Sequence, residues 1–200
     1  FSKVLDKEYL NEGLSKNLLD SFKKILAIRN GTRYFSKGNY KKFCKLNMPL
    51  AESGDQFSQW NIGNCYLKGR GVDQDYKKAF KWYRLSAEQG HKRAQHDLGV
   101  MYDKGEGIPV NYEEAFKWFL LSAEQGHVPA QKDLGNMYKF SRGVKQDNLL
   151  AHMWWNLASS VELIGSEVAL NNKKLLEKEM TPQQIEKAQE MARNWKPTKK

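Results

Sequence analysis

Apolar residues along this chain fall at helical spacing in short segments that repeat. Ala94, Leu98, Met101 and Tyr102 share one helical face, and Gly105 ends the segment. A short loop, 105–110, follows. Asn111 is then placed to cap a second helix, with Glu114 three residues on to complete a capping box. Ala115, Phe116, Trp118, Phe119 and Leu121 give this helix its apolar face, and Gly126 stops it. Helix, short loop, helix, short loop predicts an antiparallel pair that buries its apolar faces by stacking on the next pair.

The same polarity pattern returns with a constant step. Tryptophan recurs at Trp82, Trp118 and Trp154, 36 residues apart, and its neighbours recur in phase. Gly71, Gly107 and Gly143 align, as do Asp75, Asn111 and Asp147, then Ala79, Ala115 and Ala151. Ile62-Gly63, Leu98-Gly99 and Leu134-Gly135 keep the step, as do Tyr66, Tyr102 and Tyr138. A period in this range marks stacked supersecondary units. The predicted fold is all-α: an α-α superhelix of three full 36-residue repeats, 54–89, 90–125 and 126–162, in one domain spanning 1–200. Residues 10–53 hold an N-terminal helix, with Leu10, Leu14, Leu18, Phe22 and Ile25 on one face, and a shortened repeat ending in the segment from Asn39 to Gly54. Residues 163–200 supply capping helices, one through Leu170, Leu175 and Leu176 and one from Thr181-Pro182-Gln183-Gln184, a sequence built to start a helix. Ile185, Ala188, Ala192 and Trp195 give the last helix its apolar face.

Gly63, Gly99 and Gly135 stand mid-helix, where glycine costs about 1 kcal/mol relative to alanine. A cost repeated in phase points to close approach of the facing helix that carries Ala79, Ala115 or Ala151. The three phased tryptophans are expected to be buried at equivalent core positions.

The pattern Ala94-x-x-x-Leu98-Gly99-x-x-Tyr102-x-x-Gly105-x-Gly107-Ile108, continuing into Asn111-x-x-x-Ala115-x-x-Trp118-Phe119-x-x-Ser122-Ala123-x-x-Gly126, resembles the Sel-one-like repeat family, relatives of the tetratricopeptide repeats. The resemblance covers residues 54–157. It implies a right-handed superhelix with a concave groove and a role in holding other proteins, and the C-terminal tail resembles that of bacterial members.

Composition then limits the chemistry. Hydrophobic residues make up 40% of the chain and aromatics 12%, too apolar for a disordered polymer. No run is long enough to span a bilayer. The chain begins at Phe1 rather than Met, which fits a removed leader, so a periplasmic or secreted setting is the expectation, with the cytoplasm left open. None of the four histidines forms a helical metal pair. His91 and His127 share one inter-repeat turn, His152 replaces Phe80 and Phe116 at what reads as a partly exposed core edge, and His96 lies on an outer helix face. Gly69-Arg70-Gly71 and Gly105-Glu106-Gly107 lack the strand and lysine of a phosphate loop, and no nucleophile elbow is present. No catalytic set, metal site or cofactor is predicted. Cys44 and Cys65 lie ten and eleven residues either side of Gly54, level on facing helices. That placement allows a disulfide. Their counterparts Phe80 and Met101 favour two buried thiols instead, and export would favour the bond.

The formal charge of +10 favours an acidic partner. By the resemblance, the first helix of each pair lines the groove. Its outward positions are Phe57, Trp60, Asn64, Leu67 and Lys68; then Arg93, His96, Val100, Asp103 and Lys104; then Pro129, Lys132, Asn136, Lys139 and Phe140. The shortened repeat gives Leu26, Arg29, Arg33, Ser36 and Lys37. Eight of these twenty are Lys or Arg and one is an acid, Asp103. The expected function is a non-catalytic module gripping an acidic partner protein in a basic groove, with Trp60 as aromatic anchor. The resemblance offers two settings: an adaptor in a bacterial envelope or host-interaction system, or an immunity protein neutralising a secreted toxin. Nonspecific nucleic-acid binding is the weaker alternative, because no module signature is present and the aromatics are taken up by core positions.

Overall fold

A computed structural model describes residues 33–161 and 166–198, and the predicted helix through Leu10 and Ile25 lies outside the described residues. Nine helices and no strand occur among them. In chain order they are α1 (Tyr40–Glu52), α2 (Gln56–Lys68), α3 (Tyr76–Glu88), α4 (Lys92–Lys104), α5 (Tyr112–Glu124), α6 (Val128–Phe140), α7 (Asn148–Ser159), α8 (Ser166–Glu177) and α9 (Pro182–Asn194). A last helical turn, residues 33–36, precedes α1. Helices α1 to α8 pack chiefly on their sequence neighbours, and α9 passes over α8 to pack on α7, which both therefore cover. This is a solenoid closed by a C-terminal helical cap.

The repeated residues act through the same contacts each time. Asn39, Asp75, Asn111 and Asp147 are N-caps whose side chains accept from the backbone N–H three residues on. The capping box expected at Asn111 is only half made, because the Glu114 carboxylate turns instead to Lys117, 2.6 Å away. The box at Thr181 and Gln184 is complete. Gly69 and Gly105 end α2 and α4 in the left-handed conformation, where a side chain would be strained. The third copy places Ser141 there, at φ 54°.

The mid-helix glycines do face the second helix of their pair, but what fills the space is a ring rather than the alanine. A Cβ on Gly99 would lie 2.7 Å from two ring carbons of Phe119, and Gly63 and Gly135 sit under Tyr83 and Trp155 in the same way. Tyr83, Phe119 and Trp155 are the deep core, 0%, 2% and 2% exposed. The phased tryptophans, one position earlier, are correspondingly less buried than expected. Trp82 and Trp118 are half-buried against the preceding repeat. Only Trp154 is buried, with Trp195 of the cap meeting it edge to face at 5.9 Å.

A repeated polar clasp joins the two helices of each pair. Ser86 and Ser122 hydroxyls donate to the carbonyls of Gln56 and Lys92, and Gln89 and Gln125 amides donate to the side-chain carbonyls of Gln59 and Gln95. The third copy replaces this serine with Ala158, fully buried, and there the cap takes over. The cap also overturns the reading of His152 as an exposed edge. It is 0% exposed, with Nε2 2.8 Å from Glu177 Oε1 at the end of α8. In the cap, Leu176, Ala188 and Ala192 are buried as expected, whereas Leu175 is exposed.

Candidate functional site

The N-terminal end of the concave face holds a cleft of about 700 Å³ between α1, α2 and the first turn of α4. Its apolar walls include Phe35, Tyr40 and Phe43 on one side and Phe57 and Trp60 on the other. Phe35 meets Tyr40 and Phe43 edge to face at 5.4 and 5.3 Å, and Phe57 meets His91 in the same geometry at 4.8 Å. Despite these contacts Phe35 is 46% and Phe57 52% exposed, so both rings keep a free face. Lys68, Arg70 and Arg93 also line the cleft, and among the described residues no carboxylate does.

Trp60 is held in place. Its indole N–H donates to Asp97 Oδ2 at 2.7 Å, and the Arg93 guanidinium lies 5.4 Å from its ring. Such a stack holds the cation without consuming its edge donors. Arg70 is held over Tyr40 in the same way, at 4.9 Å. Asn64 donates to the Trp60 carbonyl, and Asn61 to Asn47.

Cys44 and Cys65 form a disulfide linking α1 to α2, with Cα atoms 6.5 Å apart, instead of the two buried thiols their counterparts favoured. Facing helices bring both sulfurs to the same level, and Cys65 lines the cleft floor.

Beyond Trp60 the groove changes character. Asp97 Oδ1 lies 3.3 Å from His96 Nδ1, and His96 Nε2 lies 3.0 Å from Asp133 Oδ2. Asp133 Oδ1 is 3.0 Å from Lys132 Nζ. A ladder Trp60–Asp97–His96–Asp133–Lys132 therefore stitches α2, α4 and α6. Burial works against the charged imidazole of His96, but the hydrogen bonds and charges of Asp133 and Asp97 outweigh it and raise its pKa to about 9. Burial likewise works against the Asp133 carboxylate, and its bond to His96 and the Lys132 charge prevail to hold its pKa below the ordinary value. His127, ring to ring with His96 at 5.0 Å, is driven down to about 3 by burial and then by the neighbouring His96 cation.

The expected basic groove is thus divided. Lys68 and Arg93 line the cleft, while His96 and Lys132, expected to face a partner, are neutralised by Asp97 and Asp133. Arg142 takes Asp103 at 2.7 Å. The cap takes up two more positions of the third copy, Asn136 pairing with Asn172 of α8 and Lys139 with Glu179, while Phe140 stays exposed. Lys104 is exposed, 4.0 Å from Glu106 across its turn. Arg33 and Lys37 are exposed beside α1, and Arg29 lies outside the described residues. Sequence reasoning missed Asp97 and Asp133 because they sit one position past the outward set. The signal was there as an acid recurring 36 residues apart. It also missed Arg70, which the loop after α2 carries into the cleft. Among the described residues no group of three or more His, Cys, Asp or Glu side chains is placed to hold a metal ion.

The stacked helix pairs, the glycine notches and the N-terminal cleft define a helical repeat scaffold. The Sel1 repeat family matches residues 56–91, 92–127 and 128–160, and the chain belongs to that family. Sel1 repeats are a protein–protein interaction fold, and the family is typically a non-catalytic scaffold. One similar solved structure is a protective antigen present in uropathogenic Escherichia coli strains, displaying an SLR fold: 30% identity, TM-score 0.70, covering 76% of this chain and 32% of that one. Another is a Sel1 repeat protein from Oxalobacter formigenes: 29% identity, TM-score 0.64, covering 77% of this chain and 65% of that one. This chain therefore spans a third to two thirds of their lengths. No curated protein matches it.

Proposed function

We propose that this protein holds an acidic segment of a partner protein at the N-terminal end of its concave face, as an adaptor in a bacterial envelope or host-interaction system. The observation that carries the reading is the cleft in which Trp60, fixed by Asp97 and stacked by Arg93, stands among Lys68 and Arg70 with no carboxylate among the described lining residues. A rigid, half-open aromatic beside cations that have no ion-pair partner among the described residues is the composition of an interface hot spot. The Cys44–Cys65 disulfide supports an exported setting, since such bonds persist in oxidising compartments. The similarity to a protective antigen of a pathogen supports a host-facing role.

The test is capture from the native organism with wild type and with Trp60→Ala plus Arg93→Glu. The partner captured by wild type is lost from the variant if the cleft is the site. Equal capture by both sinks the reading. A toxin as the dominant hit replaces the adaptor role with that of an immunity protein.

A further inference from the structure

The three cleft cations are spaced in a way that selects among acidic partners. Arg93 lies over Trp60 near the start of α2, and Lys68 ends the same helix. Eight residues of α-helix separate Trp60 from Lys68, about 12 Å at the usual rise. Arg70 stands beyond Lys68, held over Tyr40. Among the described residues none of the three cations is in an ion pair. Between the two cationic ends the walls are apolar, and the half-exposed faces of Phe35 and Phe57 are turned to solvent. A cleft of about 700 Å³ falls in the size range of sites that bury an apolar group and fix it with a few polar contacts.

We infer that the cleft takes an extended peptide segment of the pattern acid-x-aromatic-x-acid, its ring between Phe35 and Phe57 and its two carboxylates on Arg93 and on Lys68 with Arg70. An extended chain advances about 3.3 Å per residue, so residues four apart span about 13 Å, close to the helix rise from Trp60, under Arg93, to Lys68. The aromatic at the centre then falls midway, over the apolar walls. Arginines presented on aromatic faces keep their planar fork free for a carboxylate. Further along the concave face His96 and Lys132 already have carboxylate partners in the Asp97–His96–Asp133–Lys132 ladder, which leaves the cleft cations the better placed to take a partner's acids. This inference rests on the proposed function and narrows it.

The experiment is an NMR titration of the protein, following the Trp60 indole N–H, with the peptide acetyl-Asp-Ala-Phe-Ala-Asp-amide. Two further peptides are compared: Asp-Asp-Phe-Ala-Ala, of equal composition and wrong spacing, and Asp-Ala-Ser-Ala-Asp, which lacks the ring. The spaced aromatic peptide is expected to bind more than about tenfold tighter than either, the margin of a hot-spot anchor. Arg93→Glu and Lys68→Glu each abolish that preference. Lys81→Glu, an exposed reversal on α3 of equal charge change, leaves it intact. Circular dichroism of each variant confirms the helical fold. Equal binding of all three peptides overturns the inference, as does a loss with Lys81→Glu as large as with Arg93→Glu, which would leave only nonspecific attraction. So does displacement of the peptide by a uronic-acid oligosaccharide at comparable concentration. If the peptides fail to discriminate while partner capture still depends on Trp60 and Arg93, the proposed function stands and this inference alone falls.

Discussion

Reduction of the Cys44–Cys65 bond isolates one term in the stability of the N-terminal helix pair. The bond closes a loop of 21 residues in sequence separation. The chain-entropy relation for that length gives about 3 kcal/mol at 25 °C, lost when the unfolded chain is freed. Burial of the two side chains, each 3% exposed, is almost unchanged by adding two hydrogens, so the packing contribution is nearly constant. The effect falls locally, because repeats in a solenoid touch only their neighbours. At tenfold per about 1.4 kcal/mol, amides of α1 are expected to lose roughly a hundredfold in hydrogen-exchange protection under reductant. Amides of α5 to α7 keep theirs. The pairs equivalent to the cysteines, Phe80 with Met101 and Phe116 with Met137, are filled by larger side chains and need no such bond. Unchanged α1 protection after reduction would refute the reasoning. So would two thiols alkylated in unreduced protein by mass measurement.

Three other outcomes follow from the packing and charges. Gly99→Ala is expected to destabilise by about 1–2 kcal/mol in urea unfolding, since overpacking against Phe119 exceeds the roughly 1 kcal/mol gain in helix propensity; a stabilised variant contradicts the ring-in-notch account. Ser141→Gly removes a left-handed non-glycine residue and should raise stability by up to about 1 kcal/mol, so a lowered melting temperature would argue against strain there. The His96 pKa is raised to about 9, so its stabilising contribution, at most about 3 kcal/mol, is full below pH 6.5 and is lost as pH rises through 9. The lowered His127 pKa, about 3, acts oppositely: its contribution is full above pH 6.5 and fades as pH falls toward 3. An NMR titration placing His96 near its ordinary value, or an alkaline limb of the stability curve unaltered by His96→Gln, would dismantle the ladder as an electrostatic unit.

The period of 36 in Trp82, Trp118 and Trp154 and in the caps Asp75, Asn111 and Asp147 fixed the helices, their pairing and the scaffold class from sequence alone. Helix periodicity dictates which face of each helix must be buried, and identical caps and turns dictate that each pair repeats the last. Trp60 and Arg93 were legible as outward residues through the family resemblance, which puts the first helix of each pair on the groove, and both line the cleft. What the period could not carry was the depth of burial and the fate of each charge. Trp82 and Trp154 hold the same phase, yet only Trp154 is buried, with Trp195, 41 residues later, meeting it edge to face. Lys132 and Lys139 hold groove positions equivalent to those of others, but their charges are met by Asp133 and by Glu179 of the cap. Whether an outward cation stays free depends on which carboxylate reaches it from the neighbouring helix or the cap. That is a contact between residues distant in sequence, and only the tertiary structure decided it.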